Sequence, residues 1–375
     1  MRLLFAAGGT GGHINPALAV AQRFSRDCGA QILFVGTPQG LENKLVPAAG
    51  FPLETVDMHP LNKRLSLHTL RALAGVVKAQ RQARAILREF RPDAVFATGC
   101  YVTYPVARQA KKLGIPVFLH ESNVFPGKAN KASAPYAHTV FLGFEAAAPY
   151  FGRCQSKCLA VGTPLREGMT LTSQEQAKKS LGLEGRRVLV SCGGSLGSKK
   201  INLAVKDLTV QYTAQAPKLV HIHSCGSYGI RWLPDLLRQE GVEPQGHPVL
   251  DVREYIYDMP RVLAAADLVI NRAGASTLCE LAAMGKPSVL IPLAKAANDH
   301  QTHNARLFEK QGAAVLLAED ETQRLTQTVR ELLDDPARLE AMGRAATRLA
   351  VYDSVERICE KIHTVLEEKT PAAQG

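Results

Sequence analysis

The sequence contains no apolar run of 18 residues or more, so no helix able to span a bilayer is expected. Its N-terminus, MRLLFAAGG, breaks into glycines too early for the apolar region and cleavage site of a secretory signal. It reads instead as a first buried strand. There is no C-x-x-C pair. The eight cysteines, Cys28, Cys100, Cys154, Cys158, Cys192, Cys225, Cys279 and Cys359, are scattered. Cys154 and Cys158 have no second Cys/His pair close to them in sequence, which argues against zinc and for reduced, cytosolic thiols. An RNP-like aromatic motif, a zinc finger and a dense Lys/Arg tract are all missing, so no nucleic-acid partner is expected. Acidic residues are in deficit: 34 Asp and Glu against 45 Lys and Arg leave a formal charge of +11. A basic surface of that kind suits anionic lipid or phosphorylated substrates.

What is present is globular in composition, with 46% hydrophobic and 21% charged residues. A chain of 375 residues exceeds one ordinary core, and two domains are expected. Short apolar runs alternate with amphipathic stretches. RLLFAA, QILFVG, AVFATG and PVFLHE are strand candidates in the first half, and RVLVSCGG, KLVHIHSCG, ADLVINRAG and PSVLIPL in the second. Strand–helix alternation implies an α/β protein with parallel sheets covered by helices on both faces. The turn residues Gly162, Thr163 and Pro164 place a boundary there. The expected division is 1–162, 163–345, and a C-terminal helix and tail over 346–375.

A parallel sheet binds ligands beyond the carboxyl ends of its strands, where helix N-termini favour phosphate. GGTGG at residues 8–12 stands at such a place, between a strand and a helix. A dinucleotide fingerprint fails here. Its third glycine position is Ile14, and no acidic residue closes the second strand, Glu42 arriving late. A P-loop fails for want of G-K-[S/T]. SCGGSLGSKKIN forms a second glycine loop, and RAGASTLCELAAMG a third. Thr277 and Glu280 have capping-box spacing, so Glu280 reads either as a helix cap or as a carboxylate accepting two ribose hydroxyls. HESN at 120–123 and NDHQTHNA at 298–305 add polar clusters. His300 and His303 lack a third metal ligand at clear spacing. Together the three loops point to a phosphorylated ligand held between two domains.

The stretches GGTGGHINPALAVA, LVPAAGF, RQARAI, TGCYVTYP, GIPVFLHESNVFPGKANK, VGTPLR, GGSLGS, YIYDM, ADLVINRAGASTLCELAAMGKPSVLIP and DHQTHNA occur in order over about residues 3–315. As a set they resemble the MurG-type glycosyltransferases of bacterial cell-wall synthesis. The resemblance implies a GT-B fold, two Rossmann-like domains around a cleft. It implies inverting transfer of N-acetylglucosamine from UDP-N-acetylglucosamine to an undecaprenyl-pyrophosphate-linked muramyl-pentapeptide, at the cytoplasmic face of the membrane. On the donor side, Arg166 would approach from the linker and the Ser195 loop would meet the diphosphate. Ile256 would lie against the uracil. Ala275, Ser276, Thr277, Leu278 and Cys279 would border the donor, with Glu280 on the ribose and Gln301 on the sugar hydroxyls. From the first domain, Thr10, Gly11, Gly12, His13 and Asn123 would face the reacting centre. Ser122, Leu196 and Cys100 depart from residues common in the family.

Such a reaction needs a base for the acceptor hydroxyl and positive potential for the leaving diphosphate. His13 is a candidate base, because imidazole titrates near neutrality and a helix N-terminus disfavours its protonated form. It also reads as a residue that only hydrogen-bonds substrate. Glu121 competes for the role of base. No D-x-D motif is present, so neither a metal nor another cofactor is expected; helix N-termini and Arg166 would serve the leaving group. The stretch 61–84, with Leu70, Leu73, Val76 and Val77 beside Lys63, Arg64, Arg71 and Lys78, fits docking on an anionic membrane surface as well as an ordinary amphipathic helix. Rival functions are another glycolipid transferase, an isomerase of the nucleotide-sugar 2-epimerase type, and a non-catalytic nucleotide-sugar-binding protein.

Overall fold

The computed structural model describes residues 1–58, 67–165, 172–194, 196–293 and 299–369, with backbone only over 67–74. The chain divides into two compact units. Met1–Glu167 and Val351–Gly375 form the first, and Gly168–Ala350 the second. What the sequence sets apart as 346–375 is therefore largely a return to the first unit, made by the helix Ser354–Lys369.

The first unit carries β1 (Arg2–Ala6), β2 (Gln31–Gly36), β3 (Leu53–Thr55), β4 (Ala94–Ala97), β5 (Val117–Glu121), β6 (Thr139–Leu142) and β7 (Cys158–Ala160). They form one sheet in the order β3-β2-β1-β4-β5-β6-β7, and every pairing is parallel. Alternation sorts the side chains to opposite faces. Leu4 and Ala6 join small residues such as Val35, Val95 and Ala97 under Ala79, Ala83 and Leu87 of the helix Leu67–Phe90. Leu3 and Phe5 point the other way, into a layer of Phe34, Phe96, Phe118 and Phe141. Phe5 and Phe34 stack at 5.1 Å between centroids. Each fully buried ring contributes roughly 1.5–3 kcal/mol. This aromatic layer needs a cover. The helix Gly11–Cys28 supplies Ala17, Val20, Ala21 and Phe24, and the return helix supplies Ile358, Ile362 and Val365.

The second unit repeats the plan with β8 (Arg187–Cys192), β9 (Leu219–Ser224), β10 (Leu250–Arg253), β11 (Leu268–Asn271), β12 (Ser288–Leu290) and β13 (Ala314–Leu316). The order is β10-β9-β8-β11-β12-β13, again parallel. Its helix Gln174–Ser180 opens on a true capping box between Ser173 and Gln176. All eight strands expected from apolar runs are present. The five not singled out, β3, β6, β7, β10 and β13, are three or four residues long.

Strand order reverses between β1 and β4 in the first sheet, and between β8 and β11 in the second. In an open parallel sheet such a switch point leaves a crevice at the carboxyl ends of the two strands. The glycine loops follow β1, β8 and β11, so all three border a crevice.

Candidate functional site

In the first unit, Ala7–Thr10 connect β1 to the helix Gly11–Cys28, whose N-cap is Thr10. Neither an acidic side chain in the first turn nor a side-chain cap satisfies this N-terminus. Gly11 and Gly12 open the helix and His13 follows, half-buried, with Nδ1 3.2 Å from Thr10 Oγ1. The loop is held from below by Glu42. This carboxylate is fully buried and accepts the Gly9 N–H at 2.8 Å, the Thr37 N–H at 2.7 Å and the Thr37 hydroxyl at 2.7 Å. It fits because its neighbours lack side chains: a Cβ on Gly8, Gly36 or Gly40 would stand 2.5 Å or less from a Glu42 atom. Burial by itself would raise the Glu42 pKa. The donors of Thr37 and Gly9 outweigh it and hold the carboxyl below its ordinary range.

The end of β5 brings His120, Glu121, Ser122 and Asn123 to the same edge. His120 is completely buried; its Nε2–H donates to the Gly162 carbonyl at 3.0 Å, which leaves Nδ1 to accept from Ser122 Oγ at 3.3 Å. Burial lowers its pKa, against the pull of the Gly162 carbonyl and the Glu121 charge. Glu121 is almost as buried. Oε1 accepts the Asn123 N–H and Nδ2, both at 2.9 Å, and Oε2 accepts the Gly127 N–H at 2.8 Å and Asn130 Nδ2 at 3.0 Å. Four donors on two oxygens make it the organiser of the loop that presents Asn123.

In the second unit, residues 193–198 lie between β8 and the helix Lys199–Gln211. The loop packs backbone to backbone on the turn after β9: a Cβ on Gly197 would lie 2.0 Å from the Cys225 carbonyl oxygen. The third loop follows β11. Its helix runs Ala275–Ala283 with Gly274 as N-cap and no side-chain cap. This corrects the capping-box reading: Thr277 stands third in the helix, not at its cap, and Glu280 lies a turn further on, where no N-cap is within reach. Glu280 is buried in that helix. Ala275 and Leu278 are buried too, and the Leu278 N–H bonds to the Gly274 carbonyl at 3.0 Å. Ser276, Thr277 and Cys279 are half-buried. Ile256 is buried between β10 and the helix Met259–Ala265. Gln301 lies in the helix His300–Lys310 and accepts the Leu293 N–H at 2.9 Å.

Arg166 and Ser195 lie outside the described residues, as do Lys63 and Arg64. The side chains of Leu70, Arg71 and Leu73 lie outside them as well. Of the basic-apolar stretch, Val76 packs on the sheet, Val77 is half-exposed, and the Lys78 ammonium meets Asp57 at 2.7 Å. Among the described residues, no three His, Cys, Asp or Glu side chains come together as a metal-binding group. None of the described helices is long and apolar enough to cross a membrane. Two residues that hold these loops, one in each unit, carried no sequence signal strong enough to single them out. Glu42 was visible only as a carboxylate arriving late after β2. Arg272, beside the third loop, donates to Ile291 O, Ser198 Oγ and Glu319 Oε1.

The glycosyltransferase family 28 N-terminal domain matches residues 3–142, and its C-terminal domain matches residues 187–358. A UDP-N-acetylglucosamine–N-acetylmuramyl-(pentapeptide) pyrophosphoryl-undecaprenol N-acetylglucosamine transferase of Halothermothrix orenii is 38% identical over 353 residues, 93% of this chain and 95% of the relative. A protein of the same name from Thermoanaerobacter sp. is 38% identical over 369 residues, covering 97% of this chain and all of the relative. The crystal structure of Acinetobacter baumannii MurG superposes with a TM-score of 0.77 at 27% identity, covering 97% of this chain and 99% of that one. The UDP-N-acetylglucosamine 2-epimerase of Neisseria meningitidis shares the fold, with a TM-score of 0.68 at 15% identity over 97% of this chain and all of the epimerase. Two parallel-sheet units of GT-B type, matched in both halves and along nearly their whole length, make the chain a member of glycosyltransferase family 28, in its MurG group.

Proposed function

We propose that this protein transfers N-acetylglucosamine from UDP-N-acetylglucosamine to the undecaprenyl-pyrophosphate-linked muramyl-pentapeptide, lipid I. The product is lipid II, the reaction inverts the anomeric centre, and it serves peptidoglycan synthesis and through it cell shape and division. The observation that carries this reading is the identity of 38% over nearly the full length to relatives whose names state the reaction. The epimerase likeness, at 15% identity, supports a common fold only.

The second unit is the donor side. Its first-turn N–H groups at Lys199–Gln211 and Ala275–Ala283 offer positive potential to a diphosphate. Arg166 adds charge to the leaving group, and the Ser195 loop lies on it. Ile256 meets the uracil, Glu280 the ribose, and Gln301 the sugar. The remaining donor contacts come from Ala275, Ser276, Thr277, Leu278 and Cys279, where Leu278 contributes wall and no polar group.

The first unit is the acceptor side. His13 takes the proton from the muramyl hydroxyl. In the tautomer whose Nδ1–H donates to Thr10 Oγ1, Nε2 carries the lone pair that does so. Glu121 is left to position Asn123, because its oxygens already receive four donors. The acceptor's polyprenyl chain stays in the bilayer, and the protein docks peripherally on the cytoplasmic membrane face, with residues 61–84 as the contact. Radiolabelled UDP-N-acetylglucosamine with a lipid I analogue tests the whole reading. Lipid-linked product is expected; release of N-acetylmannosamine without acceptor would establish the epimerase instead.

A further inference from the structure

One side chain in the second unit joins loops from four strands. Arg272 leaves the carboxyl end of β11. Its Nη1 donates to the Ile291 carbonyl, beyond β12, at 3.0 Å. Its Nη2 donates to Ser198 Oγ, beyond β8, at 2.6 Å, and to Glu319 Oε1, beyond β13, at 2.5 Å. The Arg272 and Glu319 side chains keep only 11% and 10% of their exposure. A buried ion pair gives up hydration on both partners and is weak evidence of stabilisation in itself. The Glu319 carboxylate is shared with the Lys200 ammonium, 3.6 Å from its other oxygen, and it fixes the direction in which the guanidinium reaches the loops. The bond from Arg272 to Ser198 spans β11 to β8, the two strands between which the sheet order reverses.

Ser198 is the N-cap of the helix Lys199–Gln211, and its Oγ also accepts the Ile201 N–H at 3.4 Å. A hydroxyl has two acceptor lone pairs and one proton. Arg272 and Ile201 occupy both lone pairs, which forces the proton away from them. Among the described residues that proton has no acceptor. Gly193 fixes the other side of the residue, since a Cβ there would lie 2.7 Å from the Ser198 nitrogen. The outcome is a half-buried hydroxyl with an imposed direction, at the mouth of the crevice.

We propose that Ser198 donates its hydroxyl proton to the diphosphate of the nucleotide-sugar donor, and that Arg272, held by Glu319, is the positioning residue that orients it. This rests on the donor reading above.

The test uses the purified full-length protein and the Kd of UDP and of uridine, measured by competition against a fluorescent UDP-sugar. Ser198→Ala should raise the UDP Kd roughly ten- to hundredfold, as for a hydrogen bond to a charged group, and leave the uridine Kd unchanged. Ser198→Thr keeps the hydroxyl and should bind UDP like wild type. Arg272→Lys cannot reproduce the planar fork, and Glu319→Gln loosens its anchor; both should shift UDP against uridine in the same direction as Ser198→Ala. If the UDP-to-uridine ratio stays at the wild-type value in Ser198→Ala, the hydroxyl does not reach the diphosphate and the inference is overturned, whatever happens to Tm. A wild-type chain that binds no UDP overturns the donor reading together with it; wild-type binding with unaltered variants overturns this inference alone.

Discussion

Glu42 accepts the backbone N–H of Gly9 at 2.8 Å, across 33 residues of sequence. The same carboxylate holds Thr37 by its N–H and its hydroxyl. The first glycine loop is thus a braced turn in which one buried side chain serves as the lining. Glu42→Ala would leave buried donors without acceptors and is expected to cost roughly 2–4 kcal/mol. A urea titration checks this, and kcat/KM should fall with the loop's loss of shape. The pH sign follows from a folded pKa held below the unfolded one. The contribution is present above the unfolded carboxylate value and disappears as pH falls through the folded value.

His13→Ala should lower kcat by about 10²–10⁴ while the Kd of UDP changes little. The acidic limb of the pH–rate profile should vanish with it. If the limb survives in the variant, His13 is a binding residue and the base lies elsewhere. Glu121→Gln should behave differently. It replaces an oxygen that accepts by an amide that donates, disturbs Asn123, and therefore raises the acceptor KM more than it alters the pH profile.

Glu280 lies too far along its helix to cap it. Glu280→Ala is therefore expected to act on donor binding, raising KM for UDP-N-acetylglucosamine by about 1.5–3 kcal/mol. A fall in Tm with donor KM unchanged would assign the residue to the core of the second unit.

Ser191 Oγ lies 2.7 Å from both His221 Nε2 and His223 Nδ1, in a fully buried cluster. Burial, with the neighbouring imidazole, drives His221 down to about 3; burial drives His223 down to about 4. The unfolded chain takes up protons near pH 6.5 and the folded one does not. Stability is therefore full above about pH 6.5 and should fall, by up to about 1.4 kcal/mol per pH unit for each histidine, until the folded values are reached. Denaturant midpoints at pH 7 and pH 5 measure the slope. His223→Asn should make it shallower; an unchanged slope would show that other groups set it.

Binding to anionic vesicles should weaken as salt rises, since each basic group near such a surface is worth roughly 1 kcal/mol and is screened. Changing Lys63, Arg64 and Arg71 to Ser should weaken it further and spare turnover of a short-chain, water-soluble acceptor. Equal binding of wild type and variant at low salt would move the docking face away from residues 61–84.

Sequence alone determined the class of fold and the position of the glycine loops after β1, β8 and β11. Runs such as LLFA and LVI are apolar without interruption because parallel strands are covered on both faces, and a glycine loop between strand and helix is a local signal. The glycine loops, the helical turn that holds His13 and the helix start at GASTL are likewise legible, because their local conformation depends on neighbours in the chain. Tertiary structure decided what depends on distant partners. The edge strands are too short to carry a period. The Thr277–Glu280 spacing satisfied a local rule, yet the helix starts earlier, at Ala275, because the chain leaves β11 through Gly274. Glu42 and Arg272 meet Gly9 and Glu319 across 33 and 47 residues. No spacing along the chain encodes such pairs; they exist because strand order brings the carboxyl ends of particular strands together, and only there can one buried carboxylate or guanidinium hold several loops at once.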